Sequence, residues 1–162
     1  MAAGATYEPI ATTTLGSATN TITFSSISGS YTDLILVVSG YMTAGGNNYI
    51  RFNNDSGTNY SYTRLIGYSG GTLSDRFSNQ TQFEGTVGTS QSSTQIYHIM
   101  NYSNSTTFKT TMMRENNNSS AVAAQVILYR STSAINRVDI IGAISNTFVA
   151  GSTFTLYGIA AA

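Results

Sequence analysis

His98 is the single histidine of this 162-residue chain, and cysteine is absent. A metal site built from two histidines of one chain is therefore impossible, and thiolate ligation and disulfides are excluded. In the run Gln95-Ile96-Tyr97-His98-Ile99-Met100, His98 shares a strand face with Ile96, Met100 and Tyr102. Packing in a core or an interface is the expected role of an imidazole so placed. The seven carboxylates, Glu8, Asp33, Asp55, Asp75, Glu84, Glu115 and Asp139, are spread over loops and strand ends. They lack the local pairing that general acid and base chemistry, as in glycoside hydrolysis, would signal. Asn53, Asp55 and Gly57 have the spacing of the start of a calcium loop, but the twelfth position falls on Arg64, which has the wrong charge, so a turn is expected. Gly45-Gly46 and Gly70-Gly71 lack the lysine of a phosphate loop, and no nucleophile elbow is present. The expectation is a protein that is not an enzyme and needs no metal, nucleotide or organic cofactor.

The eleven tyrosines are the most suggestive side chains. In loops, Tyr and Asn stack on and hydrogen-bond sugars, and the same residues serve protein interfaces, whereas in strands aromatics fill cores. Charged residues make up 9% of the chain against roughly 25% in ordinary soluble domains, and the formal net charge is zero. Ser, Thr and Asn supply the polar surface instead, and they favour turns and strands over helices. The basic residues are scattered, so neither nucleic acid nor an anionic membrane is expected as a partner. The first residues lack a basic region followed by an apolar core, and no run approaches the length of a membrane span, so no signal peptide or membrane segment is expected.

Elements that position these residues follow from periodicity. Asp33-Leu34-Ile35-Leu36-Val37-Val38-Ser39 is apolar without alternation, and Ser39-Gly40 ends it, the pattern of a central strand buried on both faces. Thr21 to Phe24 alternates as a half-buried strand. Tyr49 to Phe52 and Tyr60 to Ile66 flank an Asn/Asp/Gly cluster and predict a hairpin. Between Gly67 and Ser93 the pattern weakens into a long irregular excursion with one short strand at Gln82 to Val87, a place to look for partner contacts. Gln95 to Met100, Phe108 to Arg114 and Ala121 to Arg130 form a meander, followed by strands at Arg137 to Ile141 and Phe154 to Ile159. The spacing predicts one all-β domain over residues 1–162, an antiparallel β-sandwich or jelly roll of about eight to ten short strands. An extended N-terminal arm, about residues 1–15, precedes it. This arm, with Tyr7, Pro9 and Ile10, is expected to pair along a sheet edge or reach a neighbour. Ile127, Tyr129, Ile141, Tyr157 and Ile159 are expected on outer strand faces, where an apolar patch marks a contact surface between copies of the chain.

Several segments together resemble a known group. They are Ala5-Thr6-Tyr7-Glu8-Pro9-Ile10-Ala11-Thr12-Thr13-Thr14-Leu15, Tyr31 to Val38, Ile50-Arg51-Phe52-Asn53-Asn54-Asp55-Ser56-Gly57-Thr58-Asn59-Tyr60-Ser61, Met100 to Asn104, and Ala150 to Ile159. The chain resembles small structural proteins encoded by tailed bacteriophages, notably phages of aquatic and cyanobacterial hosts. The resemblance implies a virion component and brings no catalytic residues. It points to a capsid decoration or cement protein that binds as a homotrimer between major capsid protein subunits. The alternative is a tail-fibre or receptor-binding module that recognises host glycans.

Overall fold

Leu34, Leu36 and Val38 point inward from the central strand and are sealed from water, while Ile35 and Val37 point to its other face. That second face turns out to line a groove rather than a second packed layer, which is why this strand shows no alternation in sequence. The computed structural model describes residues 6–44, 46–89, 92–117 and 121–160. Twelve strands are present among them: β1 (Tyr7–Thr14), β2 (Thr21–Phe24), β3 (Asp33–Gly40), β4 (Gly46–Phe52), β5 (Tyr60–Tyr68), β6 (Gly71–Gln80), β7 (Phe83–Val87), β8 (Ser93–Met100), β9 (Lys109–Asn117), β10 (Ala121–Tyr129), β11 (Val138–Gly142) and β12 (Thr153–Ile159). A short 3-10 turn, Ala143–Ser145, is the one helical element among the described residues. No helix among the described residues is long and apolar enough to cross a membrane.

Two antiparallel sheets pack face to face as a sandwich. The larger has the order β1-β12-β3-β8-β9-β10-β5-β6, the smaller β2-β11-β4-β7. The chain passes repeatedly between them, so the core is stitched by links of high sequence separation. Leu34, Leu36, Tyr97, Phe154 and Leu156 of the large sheet meet Ile22, Phe24, Ile50, Phe52, Phe83 and Ile140 of the small one. Each such fully buried side chain contributes about 1.5–3 kcal/mol.

Two expectations are corrected, and a third is met in one of its two forms. The predicted hairpin is an arch: β4 pairs with β11 and β7 in one sheet, while β5 pairs with β10 and β6 in the other. Asn53 and Asn54 turn the chain with φ of 52° and 54°, a left-handed conformation that Asn tolerates. The Asn53 amide fixes the crossing by donating to Ala134 O and accepting from Asn136 N. The excursion between Gly67 and Ser93 is largely strand: β6 is an edge strand exposed along most of its length, with Phe77 alone packed against the core, and shows no apolar period. The N-terminal arm pairs along a sheet edge, the first of its two expected courses: β1 pairs with β12 from Tyr7↔Ile159 to Thr14↔Thr153. Its register slips between Pro9 and Ala11, where a bulge follows the residue that cannot donate to a ladder. Ile10, the extra residue, packs against the core.

Candidate functional site

The outer face of the eight-stranded sheet is the surface where side chains of several kinds converge. Register places Tyr157, Ile35, His98, Met112 and Val126 in one row across five neighbouring strands. Val37, Ile96, Arg114, Ala124 and Leu65 form the adjoining row. Four depressions of about 670, 630, 270 and 270 Å³ lie along this face. The largest takes its walls from six adjacent strands, β1 to β10 in sheet order, so the sheet curves around it.

At one end of this groove the rings of Tyr7 and Tyr157 meet edge to face, with centroids 6.5 Å apart. In its middle, His98 Nε2 lies 2.7 Å from Asp33 Oδ2, and Asp33 Oδ1 accepts the backbone N–H of Asn101 at 2.7 Å. With Nε2 held by the carboxylate, Nδ1 is the ring atom left for another partner. Arg114 stands over the far wall, exposed. Its freedom is unusual. Arg51 is bound to Gln82, Arg64 to Asp75, Arg137 to Asp139, and Arg130 to Ser61, Thr58 and Asn79. Lys109 is buried and donates to the carbonyls of Thr107, Ser131 and Thr132, and burial holds its pKa below the usual lysine value. Among the described residues only Arg76 and Arg114 have no such partner, and both project from this face.

Beyond the groove the same face is apolar and open. Val122 is 62% exposed, Leu65 59% and Val126 53%, with Met112 and Leu128 beside them. The structure therefore redistributes the sequence-predicted interface residues. Ile127 and Tyr129 belong to the core, at 0% and 2% exposure, because β10 turns Gln125, Ile127 and Tyr129 inward and Val122, Val126 and Leu128 outward. Tyr129 stacks on Tyr60 at 4.8 Å and donates its hydroxyl to Asp55, so the aromatic decides which apolar face goes inside. Tyr157 and Ile159 are half-buried on the outer face of the large sheet. Ile141 is half-buried on the small sheet, away from them. Tyr7, Pro9 and Ile10 all lie in β1, with Tyr7 reaching the groove. The sequence reading missed the Asp33–His98 pair and the free arginines. Asp33 and His98 are 65 positions apart, and no local signal joins them.

Between the sheets lies a second polar cluster, closed to solvent. The Gln95 amide donates to Asn48 Oδ1 (2.8 Å), Thr86 O (3.0 Å) and Glu115 Oε2 (3.0 Å), and accepts from the Tyr97 hydroxyl at 2.9 Å. Thr86 N–H also donates to Glu115 Oε2, at 2.7 Å. A Cβ on Gly85 would collide with the Gln95 amide, the Tyr97 hydroxyl and the Asn48 oxygen, so glycine is what lets the network close. Burial pushes the Glu115 pKa up, and the hydrogen bonds from Thr86 and Gln95 only partly offset it. Burial likewise raises the phenols of Tyr60, Tyr62 and Tyr97, and pushes Tyr129 up to about 12.

The Asn53-Asp55-Gly57 loop is a turn whose carboxylate is consumed internally. Asp55 accepts from Gly57 N–H, the Asn59 amide and the Tyr129 hydroxyl. Burial raises its pKa, but these three bonds outweigh that and hold the carboxyl below its usual range. No group of three or more potential metal-binding side chains occurs among the described residues.

No family model matches the chain, and no curated protein matches it. Among solved structures it is similar to an alginate lyase, with 7% identity, 91% of this chain and 76% of the other covered, and a TM-score of 0.31. At that level the similarity carries no inference about activity.

Proposed function

We propose that this chain is a structural protein of a tailed-bacteriophage virion, a capsid decoration or cement protein that acts as a homotrimer between major capsid protein subunits. The observation that supports this reading is the exposed apolar strip Leu65, Val122, Val126, Leu128 and Met112 on one sheet face. A contiguous strip of this kind on a surface otherwise covered by Ser, Thr and Asn is the signature of a contact surface. Closed threefold symmetry lets every copy use the same patch, and it matches the symmetry of a point between shell subunits. The exposed edge of β1 offers unpaired backbone groups for strand addition to a neighbour.

Quantitative mass spectrometry of purified virions, with mass photometry of the isolated protein, tests the assignment. A cement protein is present in proportion to the shell subunits and is trimeric in solution. A protein absent from virions, or one that stays monomeric at micromolar concentration, would end this reading.

The second reading is a receptor-binding module for host glycans. It is favoured by the groove, whose Tyr7, Tyr157, His98 and Arg114 combine flat rings with free hydrogen-bonding tips. Low copy number, confined to the tail, would select it.

A further inference from the structure

We propose that the groove between Tyr7 and Arg114 binds a carboxylate-bearing sugar chain. The inference rests on the glycan reading above and names the chemistry of its ligand. A sheet face offers a ligand side chains alone, because the backbone groups are spent in the ladders. A peptide recognised by strand addition would go to an edge instead. The floor, Ile35, Val37 and Ile96, is apolar, and the Tyr7–Tyr157 pair closes one end. Such a surface receives the C–H faces of a sugar ring, while Nδ1 of the Asp33-held His98 is placed to bond a hydroxyl.

Charge selects the acid. Of the seven carboxylates only Asp33 lies on this face, and His98 and Asn101 N–H occupy its two oxygens. Arg114 and Arg76, the two unpartnered cationic side chains among the described residues, both lie here in a protein whose net charge is zero. A free guanidinium recognises a carboxylate through two parallel hydrogen bonds. The groove, of about 670 Å³, lies in the size range of ligand pockets, and the neighbouring 630 Å³ depression shares Ala124 with it. The surface is thus longer than one ring, and an oligomer fits it better than a single small anion.

The test is calorimetric titration of the purified protein with oligogalacturonate, maltohexaose and a sulfated heparin oligosaccharide. Oligogalacturonate is expected to bind, at least about tenfold tighter than maltohexaose, with affinity falling as salt is raised. Arg114→Gln is expected to weaken that binding about tenfold or more. Tm should be unchanged, because the side chain is exposed. Tyr157→Ala, at the other end of the groove, should weaken it independently. Equal binding of the neutral and acidic chains would leave the glycan reading standing and overturn this inference, as would preference for the sulfated chain or binding untouched by Arg114→Gln. Binding of none of the three would overturn both.

Discussion

Glu115 shows how a single side chain can cost stability while being hydrogen-bonded. Its carboxylate accepts two bonds between the sheets, yet the loss of water outweighs them and its pKa is raised. A carboxyl raised on folding contributes stability that is complete below its unfolded value, near 4.5, and that is lost as pH rises through the folded value. Gln at this position keeps an acceptor oxygen for Thr86 and Gln95 and carries no charge. Glu115→Gln is therefore expected to match the parent in acid and to exceed it at pH 7 by on the order of 1 kcal/mol. Paired thermal melts at pH 4 and pH 7 check this. The comparison is between variant and parent at each pH, because Asp55, whose carboxyl is held below its usual range in the fold, changes the absolute curves of both.

Strand β10 carries apolar residues on both faces, and its two faces do different work. Ile127→Ser removes a sealed core side chain and is expected to cost about 3 kcal/mol or more in the unfolding midpoint by urea. Val126→Ser, one residue away on the outer face, is expected to change monomer stability by less than about 0.5 kcal/mol and to weaken assembly. Urea melts at low protein concentration, set beside mass photometry, separate the two effects. The sequence could not make this assignment, because alternation in β10 marks two apolar faces and nothing local ranks them. Tyr129, stacked on Tyr60, ranks them through a partner far away in the chain. The all-β class, the central strand at Leu34 to Val38 and the meander ending at Tyr129 were legible, since each rests on period and turn residues. The edge strand β6 was not, because a strand exposed along most of its length, with Phe77 alone packed inward, has no period to read. The groove was illegible for a similar reason. Its members come from six strands, and His98 finds Asp33 only once β3 and β8 are in register.

At the scale of the whole molecule, the strand order β1-β12-β3 seats the last strand between the first and the third. During synthesis, therefore, the wedge of the large sheet emerges after the other eleven strands. Until β12 arrives, β1 has no partner at all, and the outer edge of β3 stays open with Leu34 and Leu36 waiting for Leu156. The large sheet closes only once β12 has emerged, and loop closure from β1 to β12 precedes the reward of pairing. Refolding from urea, followed by tyrosine fluorescence, is expected in the millisecond-to-second range of all-β domains rather than in microseconds. Nascent chains will carry two bare strand edges until β12 emerges, so crowded synthesis will favour pairing between copies before pairing within one.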